Sequence, residues 1–103
     1  MTEKGNASWL ADKERFPIGT LIEGRIEQVH EFGAFISIPG ACSPGILVIT
    51  SLVDSDRPLS VGDFPQAGTV VRAVVVGHRD LNRQIALSLR ESDFLRLGLR
   101  LGK

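Results

Sequence analysis

The chain has 103 residues, of which 43% are hydrophobic and 23% charged, a composition typical of one globular domain and too apolar for wholesale disorder. Twelve Lys and Arg balance twelve Asp and Glu, so no overall positive field attracts nucleic acid, and any such binding must be local and modest. The only cysteine, Cys42, excludes an internal disulfide and a multi-cysteine metal site.

The N-terminal segment is predicted to be a polar tail followed by a short helix. Met1–Asn6 contains no apolar run like that of a secretory signal, and no stretch approaches the roughly 20 apolar residues that cross a bilayer. Together with the lone cysteine, this predicts a cytoplasmic protein without a membrane partner. The helix is predicted over Ser8–Arg15, with Ser8 as its N-cap and with Trp9 and Leu10 on its buried side.

Three strands are predicted next, joined as a meander. Thr20–Glu27 and Glu31–Ile38 alternate apolar with polar residues, the period of a half-buried strand. A cluster of Pro, Gly and Ser then forms a turn, and Ile46–Ile49 is a short β-branched run. The predicted inward-facing residues of the first two strands are Ile22, Gly24, Ile26, Ala34, Ile36 and Ile38.

A long connection, Ser51–Ala67, separates the meander from two further strands. Its Asp, Pro and Gly content opposes any long regular element but permits a single helical turn. Thr69–Val76 is almost continuously apolar, the turn Gly77–Asn82 is polar, and Arg83–Arg90 alternates cleanly. The predicted inward-facing residues are Val71, Ala73, Val75, Ile85, Leu87 and Leu89.

Five short strands with this spacing predict an all-β, five-stranded Greek-key barrel, since a two-sheet sandwich needs more strands. Barrel closure also removes exposed sheet edges. The chain is therefore divided into a tail with a short helix (1–15), a barrel domain (16–92) and a C-terminal tail (93–103). The apolar residues of that tail favour a second short helix, although its two glycines oppose one.

Three segments, "GTLIEGRIEQVHEFGAFISI", "GILVITSL" and "DLNRQIALSLRES", together resemble the S1 domain. The match spans about Phe16–Ser92, and its most specific part is the FGAF stretch, Phe32–Phe35. The preceding "WLADKERFPIG" is similar to the lead-in to repeats of ribosomal protein S1. The resemblance implies an OB-fold barrel that binds single-stranded RNA across one face, where aromatic rings stack on bases and basic side chains hold phosphates.

The site residues implied by the resemblance are only partly retained. Phe32 and Phe35 match the two aromatic positions of the second strand, and Asp80 matches the acidic position before the fifth. Val48 stands where the family has His, and Gln84 where it has Arg. Two polar contacts to phosphate or base are therefore missing.

Nearby arginines are candidates to replace the missing charge. Arg79 lies close to the vacant position, and Arg83 is adjacent to it, although alternation sends Arg83 to the opposite face unless the turn reorients it. More distant candidates lie on outward strand positions: Arg25, Arg72 and Arg90. The complete predicted RNA-binding set is Phe32, Phe35, Val48, Arg79, Asp80, Arg83 and Gln84.

For the two phenylalanines, the alternative to a surface role is ordinary core packing, since aromatic residues dominate cores. Phe35 is out of phase with the inward residues of its strand, which predicts a position outside the barrel. Phe32 shares the inward phase unless Gly33 permits a bulge. The pattern alone therefore leaves Phe32 open between core and surface.

The remaining polar residues predict no catalytic or metal site. His30 and His78 are isolated, so exposed positions are expected for both, and the aspartates of the long loop do not match an EF-hand. No phosphate loop, nucleophile elbow or paired metal motif is present. A non-enzymatic protein without a cofactor, metal or small-molecule substrate is therefore predicted.

The sequence thus predicts a binding module for single-stranded RNA, including ribosome-associated RNA, in translation or RNA metabolism, with weak and largely sequence-tolerant binding. The alternative is a protein-interaction adaptor on the same face. Around Phe35, Val48 and Ala86 that face is more apolar and less cationic than the family pattern, and exposed apolar patches mark partner surfaces. Phe94–Leu101 is a second candidate for docking or self-association, although packing of this tail back on the barrel is the simpler account.

Overall fold

The computed structural model of the chain describes residues 2–54, 56 and 58–98, with side chains from residue 7 onward. In chain order, the elements are α1 (Thr2–Arg15), β1 (Leu21–Val29), β2 (Gly33–Ser37), β3 (Gly45–Val48), the 3₁₀ turns Ile49–Ser51 and Val61–Asp63, β4 (Val70–Arg79), β5 (Gln84–Ser88) and α2 (Glu91–Arg96).

The five strands form a closed barrel in the order β1-β2-β3-β5-β4. β1 pairs antiparallel with both β2 and β4, whereas β3 and β5 run parallel. The chain reaches β4 only after the long connection, which contains the two 3₁₀ turns. The predicted five-stranded OB-fold barrel, with a short helix at each end, is confirmed.

The barrel interior is filled by the residues that alternation placed there. Ile26, Ala34 and Ile85 have no exposed surface, and burying an isoleucine side chain contributes about 1.5–3 kcal/mol. Val71 and Leu89 are half-buried and pack against the same core. The inward phase of β1, β2, β4 and β5 is therefore as predicted.

The N-terminal helix differs from its prediction. It begins at Thr2, so Ser8 lies inside the helix and does not cap it. Trp9 is 5% exposed, but Leu10 is 54% exposed, because one residue corresponds to a rotation of about 100° around a helix. Trp9, Asp12 and Phe16, spaced three and four apart, form the buried stripe instead.

Several strand ends also differ. β4 continues to Arg79 across a register shift between Val75 and Gly77, so Gly77 lies in the strand and not in the predicted turn. Ile49 belongs to a 3₁₀ turn and not to β3. These ends depend on cross-strand pairing, which alternation along a single strand does not encode.

The C-terminal helix packs back on the barrel. Phe94 is buried, and so are Val74 of β4 and Ser88 of β5, which lie opposite each other. Asp93 accepts a 2.6 Å hydrogen bond from the Ser88 hydroxyl, which fixes α2 over this part of the sheet. Of the docking segment predicted from Phe94 onward, residues 99–101 lie outside the described part of the chain.

Candidate nucleic-acid interface

The outer side of β2, β3 and β5 carries a row of three residues in register. Phe35 lies opposite Ile46, and Ile46 lies opposite Ala86. Residues directly opposite each other in a sheet point to the same side, so the row crosses two strand spacings, about 10 Å. Phe35 is half-buried and lies outside the core cluster, whereas Ile46 beside it is only 2% exposed. The predicted outward position of Phe35 is confirmed.

Phe32 is also on the surface, with 55% of its side chain exposed. The inward phase suggested by alternation is wrong for this residue, because β2 begins only at Gly33 and Phe32 lies in the bend before it. A short turn holds this bend: the His30 amide donates to the Gly33 carbonyl at 2.7 Å, and the Gly33 amide donates back to His30 at 3.2 Å. Alternation therefore stops at Gly33.

Three aromatic side chains meet here, and we call His30, Phe32 and Phe35 the ring cluster. The His30 and Phe32 rings are stacked with centroids 5.3 Å apart and planes 1° from parallel. Phe35 meets both rings edge-on, at 5.7 Å from His30 and 6.2 Å from Phe32. Sequence reasoning missed His30 and expected only an isolated, exposed residue. Its position two residues before Phe32, at the start of the turn, was the available signal.

Two other predicted residues share this face. Val48 lies opposite Gly33, next to the ring cluster. Gln84 precedes Ala86 by two positions on β5 and lies opposite Arg79 of β4, so both point to the same side as Ala86. The structure thus brings Phe35, Val48, Gln84 and Arg79 onto one surface. We call this surface the outer face, and it also includes Ile46, Ala86 and the ring cluster.

Asp80 and Arg83 lie in the turn between β4 and β5. Oδ1 of Asp80 accepts hydrogen bonds from Lys13 Nζ and Trp9 Nε1, each at 2.8 Å. The bond from Lys13 and then that from Trp9 lower the pKa of Asp80 below its usual range. Arg83 has a φ of 54°, a left-handed conformation uncommon outside glycine, so the turn does reorient the backbone at this residue.

The more distant arginines each have a hydrogen-bond or ion-pair partner. Arg90 Nε donates to Asp54 at 3.0 Å, and Arg72 pairs with Glu23 at 3.8 Å. Arg25 donates to the carbonyl of Gly68 at 3.3 Å. Arg79 and Arg83 are the arginines nearest to Gln84, since Arg79 pairs with it across the strands and Arg83 precedes it in the sequence.

Two grooves on the described surface differ in their chemistry. One, of about 420 Å³, borders Phe35 and the loop between β2 and β3. A larger one, of about 640 Å³, lies along the connection after β3 and contains Asp54, Asp56 and Arg90 but no aromatic ring. Because Asp54 already accepts from Arg90 and Ser92 and only the smaller of these two grooves borders a ring of the cluster, the smaller groove fits the chemistry of the ring cluster better.

The prediction that the second histidine is exposed is wrong. His78 is half-buried, and its Nε2 lies 2.8 Å from the carbonyl oxygen of Phe16. Across the residues that the structure describes, no three His, Cys, Asp or Glu side chains are grouped to hold a metal ion. Within those same ranges, no helix combines the length and apolar character needed to span a membrane.

Comparisons with known proteins extend this description. No family model matches the chain. A 4-hydroxy-3-methylbut-2-enyl diphosphate reductase from Clostridium acetobutylicum is 27% identical over 85 residues, which is 81% of this chain but 13% of that protein. The chain therefore matches only a small part of this curated relative.

Solved structures resemble the barrel at low sequence identity. GSP13 from Bacillus subtilis has a TM-score of 0.64 at 16% identity, covering 85% of this chain and 64% of that one. The alpha subunit of aIF2 from Pyrococcus abyssi gives 0.60 at 20%, covering 70% and 28%. RNase R from Mycoplasma genitalium, in complex with ribose-methylated single-stranded RNA, gives 0.61 at 18%, covering 81% and 14%. These likenesses agree with the predicted fold, a closed five-stranded OB-fold barrel.

Proposed function

We propose that the chain is a non-enzymatic module that binds single-stranded RNA on the outer face. The observation that carries this proposal is the ring cluster: three aromatic side chains in mutual contact on the surface of an OB-fold barrel. Flat, exposed rings stack on bases of any identity, and each stacked base contributes about 1–3 kcal/mol. The structural likeness to an RNase R bound to single-stranded RNA supports this proposal.

In this proposal, different residues of the outer face make different contacts with the RNA. Phe32 and Phe35 stack on bases, and the apolar Val48 supports the same bases from the next strand. The Gln84 amide replaces the arginine of the family pattern as a neutral hydrogen-bonding group, and Arg79 and Arg83 hold phosphates. With so few cations, binding is weak, salt-sensitive and largely independent of sequence.

Asp80 takes a different role in this proposal. Because its Oδ1 already accepts hydrogen bonds from two side chains of α1, we assign Asp80 to fastening the helix and not to direct contact with RNA. We also propose that the chain acts in the cytoplasm, in RNA metabolism or translation, and that the RNA it binds includes ribosome-associated RNA.

The test is fluorescence anisotropy with a labelled uridine oligomer at low salt. Phe35→Ala should weaken binding by about 5- to 150-fold, the equivalent of one lost stack, and Phe32→Ala should act in the same direction. Leu10→Ala is the matched control, since Leu10 is 54% and Phe32 55% exposed and Leu10 lies on α1. Absence of binding, or an equal effect of Phe35→Ala and Leu10→Ala, would refute the proposal.

The second candidate is a protein-interaction adaptor on the same face. The half-buried Phe35, Val48 and Ala86 make the middle of the outer face apolar, which favours a protein partner where RNA affinity is absent. A pull-down before and after nuclease treatment separates the two functions. A nuclease-resistant partner that Phe35→Ala releases, from a protein that binds no RNA oligomer, supports the adaptor.

A further inference from the structure

The groove beside Phe35 has the features of a site for one nucleobase. It lies between β1, β2 and the loop after β2, and its volume of about 420 Å³ is at the lower end of pockets that bind small ligands. Phe35 supplies a flat aromatic wall. The polar side chains of the lining include Glu27, Gln28, Ser37 and Ser43.

A β-bulge explains why two consecutive residues of β1 line this groove. Ile26 pairs with Ile36 and Gln28 pairs with Phe35, so the register shifts between them and Glu27 is the inserted residue. In a regular strand Glu27 and Gln28 would point to opposite faces, and a bulge re-aims such side chains. Both side chains therefore reach the surface next to Phe35.

The polar lining is held in place. Glu27 Oε2 accepts a 2.9 Å hydrogen bond from the Ser37 hydroxyl, and Gln28 Oε1 lies 3.2 Å from Nε2 of His30. Gln28 is thus connected to the ring cluster, and Glu27 is fixed against β2. An ionised carboxylate offers about four lone-pair sites, and the Ser37 bond uses one of them.

A carboxylate only accepts hydrogen bonds, so it selects bases that present donors. Cytosine, adenine and guanine each carry an exocyclic amino group, and carboxylates accept from such groups in base recognition. Uracil has a carbonyl oxygen where cytosine has its amino group, and its one Watson–Crick donor, N3–H, lies between two carbonyl oxygens that repel a carboxylate. We propose that the groove binds one nucleobase bearing an exocyclic amino group, stacked against Phe35 and read by Glu27. This inference rests on the proposed RNA binding and adds a preference at one position of an otherwise sequence-tolerant strand.

The experiment compares uridine oligomers whose central nucleotide is uridine, cytidine, adenosine or guanosine. With the wild-type protein, one or more of the amino-bearing central bases should bind about tenfold more tightly than uridine. Glu27→Gln removes the charge and adds a donor, so this preference should disappear while binding of the all-uridine oligomer stays equal or increases. Glu23→Gln is the matched control, because Glu23 lies on β1 but faces Arg72 of β4.

The possible outcomes separate the two proposals. If no oligomer binds, both the RNA-binding function and the base preference are wrong. If all four oligomers bind equally, or if Glu23→Gln removes the preference as effectively as Glu27→Gln, the function stands and the assignment of Glu27 is wrong. A preference lost only in Glu27→Gln supports the groove as the base-reading site.

Discussion

Trp9 Nε1 donates a 2.8 Å hydrogen bond to Oδ1 of Asp80, across 71 residues of sequence. Lys13 donates to the same oxygen, and the Asp12 carboxylate accepts from the Cys42 amide in the loop after β2. Two loops at one end of the barrel are thereby fastened to α1. The helix is a structural part of the barrel and closes that end with the Trp9 ring.

Asp80→Ala should loosen α1 from the barrel. The variant removes the acceptor of both Trp9 and Lys13, so the melting temperature should fall and the fluorescence of Trp9, the only tryptophan in the chain, should shift to longer wavelength. Asp80→Asn, which keeps one carbonyl acceptor, should show a smaller shift. Fluorescence and circular dichroism measure both effects.

The same variant distinguishes the two roles considered for Asp80. If Asp80 only fastens α1, RNA affinity of Asp80→Ala should change little at temperatures where the barrel remains folded. A large loss of RNA affinity without any change in Trp9 emission would show instead that the carboxylate contacts RNA, as the family resemblance implies.

The interior of this fold was predictable because strand alternation is a local property of sequence. Ile26, Ala34 and Ile85 each follow the two-residue period of their own strand, and each is fully buried. The outward phase of Phe35 follows from the same rule. Where one face of a strand is buried, the pattern of apolar residues specifies its register.

Other features were not predictable because they depend on contacts distant in sequence. Val74 has an outward phase but is buried, and it lies opposite Ser88, to which α2 is fastened. His30 joins the ring cluster only because the turn at Gly33 brings it beside Phe32. Asp80 accepts hydrogen bonds from α1, a contact between residues 67 to 71 positions apart that the sequence pattern does not encode. The sequence alone therefore favoured the contact with RNA that the family resemblance implies for Asp80.

Three carboxylates should make stability sensitive to acid. Hydrogen bonds from Ser92, Lys13 and Ser88 lower the pKa values of Asp54, Asp80 and Asp93, respectively. Since each folded-state pKa lies below the unfolded value of about 3.9, the stabilisation is complete above that pH and is lost as the pH falls through the lowered values.

The measurement is thermal unfolding between about pH 5 and pH 2. The melting temperature of the wild type should fall on acidification. Asp93→Asn should lower the melting temperature at neutral pH and reduce its decline in acid, because the asparagine amide accepts from Ser88 but does not titrate. An unchanged pH dependence in Asp93→Asn would contradict this attribution.

Gly33→Ala should destabilise the barrel because β2 and β3 approach each other closely at this residue. A Cβ atom at Gly33 would lie 2.5 Å from the Leu47 carbonyl oxygen and 2.9 Å from the Val48 Cα. These are backbone atoms of β3, which cannot move without disturbing the strand pairing. The expected loss is about 1–3 kcal/mol, as for other overpacked sites.

Gly62→Ala is the control for this prediction, and urea unfolding measures both variants. The nearest atom to a Cβ at Gly62 is Ser60 Oγ at 3.8 Å, so its stability should stay within about 0.5 kcal/mol of the wild type. Equal stability of the two variants would show that the contact at Gly33 relaxes without cost.

Gln84→Arg should strengthen RNA binding by restoring the charge that the family has at this position. Gln84 lies opposite Arg79 on the outer face, so the new guanidinium would extend an existing positive site at a cross-strand cost of about 0.2–1 kcal/mol in stability. One added phosphate contact should tighten binding about tenfold at low salt. It should also steepen the dependence of log K on log salt by about 0.7, the value for single strands. Leu10→Arg adds the same charge on α1, and an equal gain in that variant would show that net charge, and not the outer face, governs binding.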